Sequence, residues 1–279
     1  MYPTVTTLAA ITEPTSDFAR QVQAQVLSVG DFIRQESKGF SRDQAEIKGR
    51  NDLVSYVDRE AERRLHEGLA RLLPGSGFIM EETGLHNSEA DFVWIIDPLD
   101  GTTNFVYGIP AFCVSVGLYH QGRGLLGCVY EINRDELFFA TRGGGATLNG
   151  KPLRASASTR LEEALVATGF PFRRFEQIDQ YMAMLTVFMK QTKGIRRIGS
   201  AALDLAYVAA GRFDGFFEAN LKPWDVAAGV LLIAEAGGIV TDYYGQEDYL
   251  FGGMIVAASA GIHPIMLATL QQHLAPEPH

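Results

Sequence analysis

The segment Trp94-Ile95-Ile96-Asp97-Pro98-Leu99-Asp100-Gly101-Thr102-Thr103-Asn104-Phe105 decides how the rest of the chain is read. Phe92 to Ile96 is an apolar run of strand length that stops abruptly at Asp97. Pro98 fixes a turn and Asp100-Gly101 follows, so two carboxylates and the intervening Leu99 carbonyl can converge on one point. Three hard oxygen donors in such a place suit magnesium. A short helical segment is predicted at Thr102 to Phe105. Its first N–H groups and positive dipole end would receive a phosphate oxygen. The same residues also read as ordinary turn chemistry with solvated acids, because Asp, Pro and Gly dominate turns.

Upstream, apolar residues at helical spacing (Phe18, Val22, Val26, Val29, Ile33) predict a helix over Ser16 to Ser37, and a second runs from Leu53 to Leu73 before Pro74-Gly75. The apolar run Gly77 to Met80 delivers Glu81-Glu82, as the run before Asp97 delivers that acid. Downstream, Phe112 to Leu148 reads as an antiparallel meander with turns at Gln121 to Gly124, Asn133 to Asp135 and Gly143 to Gly145. The second half alternates: a strand at Leu165 to Thr168, helices at Ile178 to Lys193 and Ser200 to Ala210, a strand at Phe213 to Phe217, and a helix from Val226 to Ala236. The fold class is therefore α/β (α+β). A boundary near residue 155 divides an N-terminal α+β part, 1–155, which carries most of the candidate metal ligands, from a C-terminal α/β part, 156–279, which closes the site. Only Ala275 to His279 reads as a loose tail.

The chain has 279 residues, 47% of them hydrophobic, which is enough for a sizeable core, and a formal net charge of -9. That charge repels nucleic-acid backbones, so no direct nucleic-acid partner is expected. It also disfavours a phosphate monoester, so a site for one needs cations or aimed amides to reverse the local field. Cys113 and Cys128 lack CxxC spacing and read as core residues. No positive charge precedes Arg20 and only a short apolar run lies between Pro3 and Pro14, so neither a signal peptide nor a membrane span fits and a cytoplasmic protein is expected.

Some residues are decoys. Gly122, Gly124 and Gly127 spell GxGxxG but lie between strand-like runs, without the strand-to-helix context of a dinucleotide site. The six histidines show no zinc-ligand spacing. Asp204, in an otherwise apolar helical stretch, reads first as a hydrogen-bonded structural carboxylate and second as a functional one. Asp52 and Asp225 precede helices and read equally as N-caps, and Glu81-Glu82 as a solvated pair.

Phe78 to Gly84, Asp97 to Phe105, Pro223-Trp224-Asp225-Val226-Ala227-Ala228-Gly229 and Glu235 to Gly238, in this order and spacing, resemble the inositol monophosphatase family over about residues 16 to 273. The resemblance implies a layered αβαβα sandwich of the sugar-phosphatase type and two or three magnesium ions. One ion is implied at Glu81, Asp97 and the Leu99 carbonyl, a second between Asp97, Asp100 and Asp225, and a weaker third near Glu81. Asp52 and Thr102 match the positions that orient the attacking water with Glu81, and the amides of Gly101 and Thr102 match the phosphate cradle. Glu218 fits the position that reads ring hydroxyls, with Ala201, Asp100 and Asp225 beside it; the bland reading of Glu218 is a strand-end surface acid.

The implied activity is metal-assisted hydrolysis of a small polyol phosphate, inositol monophosphate first. Histidinol phosphate, fructose bisphosphate and phosphoadenosine phosphate are alternatives within the same fold. Lithium sensitivity and a homodimer also come with the resemblance. The specificity loop is sought at Gly169 to Arg174, around Arg173-Arg174. A reading of another class is a regulatory binding partner of the transcription machinery, as some bacterial relatives appear in that family.

Overall fold

The apolar stripe from Phe18 to Ile33 is the buried face of α1 (Ser16–Ser37), whose first turn is capped by Thr15 through Phe18 N to Thr15 Oγ1 at 3.3 Å. The structure, a computed structural model, describes residues 15–49, 52–170 and 178–273. Leu53 is not helical: a hairpin of β1 (Ala45–Gly49) and β2 (Asp52–Ser55) comes first, and α2 (Tyr56–Leu72) begins only after Ser55. Ser55 and Asp58 form a capping box there, which starts the helix three residues later than its apolar spacing suggests.

α1 and α2 lie on one face of an eight-stranded sheet made of β3 (Gly77–Met80), β4 (Gly84–His86), β5 (Phe92–Asp100), β6 (Cys113–His120), β7 (Arg123–Glu131), β8 (Glu136–Thr141), β9 (Gly145–Leu148) and β10 (Lys151–Pro152). Its strand order is β10-β9-β8-β7-β6-β5-β3-β4; β3 and β5 are parallel and the other neighbours antiparallel. A second, five-stranded sheet has the order β12-β11-β13-β15-β14. It is built from β11 (Leu165–Thr168), β12 (Gly194–Arg196), β13 (Gly215–Ala219), β14 (Gly238–Thr241) and β15 (Met254–Ser259).

Two helices, α5 (Ala201–Ala209) and α6 (Pro223–Glu235), are buried between the sheets, and their Ala- and Leu-rich surfaces contact both. On the outer face of the second sheet lie α4 (Ile178–Gln191) and α7 (His263–Gln271). The layers therefore run α, β, α, β, α, as the resemblance implied. Because helices cover both faces of the central strands, β6 and β7 are buried almost throughout and read as continuous apolar runs rather than alternating ones. Gly127 of the GxGxxG decoy lets α6 close on the sheet: a Cβ there would lie 2.5 Å from the Ala228 carbonyl oxygen. Among the described residues no helix is long and apolar enough to cross a membrane.

Candidate active site

The turn expected at Pro98 is instead part of β5, which continues to Asp100 through a bulge: Asp97 faces Ser115 and Asp100 faces Cys113 across the ladder. Three residue steps on one strand thus match two on its neighbour. A regular strand would point residues three apart to opposite faces, and the extra residue restores parity, so both carboxylates share a face. Pro98 has no N–H to contribute to the ladder, which a bulge tolerates. Parallel pairing sets Met80 beside Ile96, so the next residues, Glu81 and Asp97, also adjoin, and their carboxyls hydrogen-bond each other.

The fourth acid arrives from the second half of the chain. Asp225 sits in the first turn of α6 and accepts from Lys222 N at 2.6 Å, so it lies inside the helix rather than at its N-cap. Tyr119 Oη to the Ala227 carbonyl (3.0 Å) and Ser115 Oγ to the Trp224 carbonyl (3.4 Å) hold that turn against β6. The result is that carboxylate oxygens of Asp97, Asp100 and Asp225 lie within 4.8 Å of one another. Burial, followed by the charges of Glu81, Asp100 and Asp225, pushes the Asp97 carboxyl well above its usual range. Burial, then Asp225 and Glu82, does the same to Glu81. Asp100 rises only to about 6, because burial is offset by hydrogen bonds that include Ser200 Oγ and Ala202 N, both at 2.7 Å, at the amino end of α5. Acids gathered in this way have the donor chemistry that a divalent cation takes.

Thr102 opens α3 (Thr102–Val106) after Gly101, whose φ of 97° is left-handed and whose Cβ would lie 2.9 Å from the Ala111 carbonyl oxygen. Its hydroxyl lies 2.9 Å from Asp58 Oδ1 and 3.1 Å from the Leu99 carbonyl. Asp52, assigned to this partnership from the sequence, is the first residue of β2; it does not cap α2, and its side chain lies outside the described residues. Among the described residues the carboxylate that meets Thr102 is Asp58, and the Ser55-x-x-Asp58 spacing before an apolar-periodic helix was the signal for it. One turn further, Glu62, also buried, accepts from Glu82 N (2.8 Å) and Thr83 N (2.9 Å) and so fixes the turn that carries Glu81. Lys48 binds Glu82 Oε2 at 2.9 Å, so that pair is not simply solvated.

Glu81, Asp97, Asp100, Thr102 and Asp225 line a cleft of about 870 Å³ together with Gly101, Ala201, Asp204, Arg197 and Glu218. Glu218 is the fourth residue of β13, displaced two residues along from the expected strand; it is half-buried in the cleft rather than a surface acid. Burial, then Asp225, lifts its carboxyl to about 8 against the pull of Arg197. Ala201 is buried at the start of α5. Of the loop Gly169 to Arg174, Gly169 and Phe170 line the cleft, and Arg173-Arg174 lie outside the described residues.

The sequence pattern of the inositol monophosphatase family matches residues 13–275, and the chain belongs to that family. Within it, the chain is 44% identical over 254 residues to Nus factor SuhB of Pseudomonas aeruginosa, covering 89% of this chain and 94% of that protein. It is 46% identical over 247 residues to Nus factor SuhB of Escherichia coli K12, covering 88% and 92%. Among solved structures, the inositol monophosphatase of Anabaena sp. PCC 7120 superposes with a TM-score of 0.83 at 37% identity, covering 94% of this chain and 97% of that one.

Proposed function

We propose that this protein is a magnesium-dependent phosphatase that hydrolyses inositol monophosphate or a close polyol relative. The observation that carries the reading is the convergence of Asp97, Asp100 and Asp225 within 4.8 Å, from two separate halves of the chain. The donor set is all hard carboxylate oxygen, which suits magnesium rather than zinc. Asp97, Asp100, Asp225, Glu81 and the Leu99 carbonyl would hold the cations. When bound, they supply Lewis acidity toward the phosphate and a water of lowered pKa.

The chain's own part is placement. Ser55 N (2.9 Å) and Ser55 Oγ (2.6 Å) fix Asp58 Oδ2, leaving Oδ1 to accept the Thr102 hydroxyl hydrogen. With its hydrogen so directed, Thr102 Oγ1 offers a lone pair to the hydrogen of an attacking water, and Glu81 takes the other. The role given to Asp52 on the resemblance passes to Asp58. The amides of Gly101 and Thr102 receive the phosphate oxygens, and Glu218, with Ala201 and Asp225 alongside, receives the alcohol.

A phosphate-release panel tests this, with inositol 1-phosphate, histidinol phosphate, fructose bisphosphate and phosphoadenosine phosphate assayed with and without magnesium. Release that needs magnesium, vanishes in chelator and is fastest for the inositol ester is expected; no release from any ester ends the reading. The family's lithium sensitivity and homodimer are checked by a lithium dose series and by sedimentation.

The words Nus factor in the names of relatives 44–46% identical favour a second reading, a regulatory binding partner of the transcription machinery. A transcription protein retained by Asp97→Asn on pull-down, with effects in cells that do not need catalysis, would support it.

A further inference from the structure

Asp204 is 1% exposed, it lines the cleft, and among the described residues its Oδ1 has no hydrogen-bond partner. Nothing in α5 explains it. The helix is capped by Ser200, whose Oγ accepts from Leu203 N, and the residues flanking Asp204 in the first turns are Ala201, Ala202, Leu203, Leu205 and Ala206, none with a side-chain donor. Its charged surroundings are the carboxyls of Glu218 and Asp100, opposed by the Arg197 guanidinium. A buried carboxyl oxygen left unpaired is costly, and one kept beside a ligand cleft is placed to accept a donor from a bound molecule.

The adjoining wall is shaped for the same job. At Gly169 a Cβ would lie 1.9 Å from Glu218 Oε1, so any side chain there would displace that carboxyl from the cleft.

We infer that Asp204 is a specificity-determining residue: together with Glu218 it takes hydroxyl hydrogens from the alcohol portion of the substrate, so that this wall selects esters with adjacent hydroxyl groups. The inference rests on the reading of the cleft as a polyol phosphate site. It gives the acidic pocket two ends, since Asp97, Asp100 and Asp225 converge on one another while Asp204 and Glu218 serve the alcohol, with Asp225 adjoining both.

The test compares Asp204→Asn and Asp204→Leu with the unaltered protein on inositol 1-phosphate and on p-nitrophenyl phosphate, an ester without aliphatic hydroxyls, both with magnesium. For inositol 1-phosphate KM should rise about tenfold or more, and for p-nitrophenyl phosphate it should stay within about twofold. The Tm of both variants should be unchanged or higher, because an unpaired buried carboxyl has been removed. Free myo-inositol should raise the Tm of the unaltered protein more than that of either variant. Equal KM changes for the two esters, no change for the inositol ester, or a lowered Tm for Asp204→Asn would return Asp204 to a structural role and overturn the proposal. Absence of turnover on both esters by the unaltered protein would instead defeat the phosphatase reading, leaving the myo-inositol shift to decide the role of Asp204.

Discussion

Asp58 on α2 and Asp204 on α5 are both helix-borne aspartates 1% exposed, and they are partnered in opposite ways. Asp58 takes hydrogen bonds from Ser55 N, Ser55 Oγ and Thr102 Oγ1, which offset the burial that raises its carboxyl. Burial pushes the Asp204 carboxyl well above its usual value, with Arg197 as the opposing influence and, among the described residues, no hydrogen bond to Oδ1. The difference separates a carboxylate whose partners are all within the chain from one left for a ligand. Burial alone does not distinguish them; partners do.

The largest expected effect lies outside the pair and sets its scale. Asp97→Asn removes one of three converging carboxylates and should lower magnesium-dependent phosphate release on the order of 10³-fold, with the far-ultraviolet circular dichroism unchanged. Retained turnover would end the cation-seat reading, and with it the ground for contrasting the two aspartates as parts of one site.

Asp58→Asn should lower kcat about 10²-fold by releasing Thr102, with KM little altered and Tm reduced because the cap is weakened. The same loss from Asp52→Asn, with Asp58→Asn harmless, would restore the original assignment. Gly169→Ala probes the other side of the contrast. By crowding Glu218 it should raise KM for inositol 1-phosphate roughly tenfold while sparing p-nitrophenyl phosphate, and equal effects on both esters would show general distortion instead.

The smallest effect concerns pH. Glu218 is lifted from an ordinary 4.5 to about 8, so the folded chain holds a proton there that the unfolded chain has released. Its contribution to stability is whole below about pH 4.5 and is lost as pH rises through about 8. In chelator, Tm should therefore fall between those limits, and Glu218→Gln should flatten part of the decline; an identical slope in the variant would contradict the burial of this acid.

Much of the architecture was legible in local pattern. The helical stripe of α1, the meander from Phe112 to Leu148 and the acids at the ends of Gly77 to Met80 and Phe92 to Ile96 follow from periodicity and turn chemistry, and the structure has them there. Asp58 was not read from the sequence because the resemblance places Asp52 with Thr102, and the β1–β2 hairpin that separates Asp52 from α2 has little apolar alternation to announce it. The continuation of β5 through Pro98 was missed because a bulge is specified by the neighbouring strand, Ser115 and Cys113, and not by the dipeptide itself.

By itself the sequence determined the layer types, the family likeness and which acids were available, since those depend on residue type and on spacing within one element. Only tertiary structure decided which of the acids meet. The parity of a bulge, the parallel register of two strands and the docking of α6 on β6 bring Asp97, Glu81 and Asp225 together, and each is a relation between segments distant in the chain. Asp204 belongs to that second kind of fact: that its Oδ1 has no partner among the described residues depends on the segments packed around it, which no local pattern encodes.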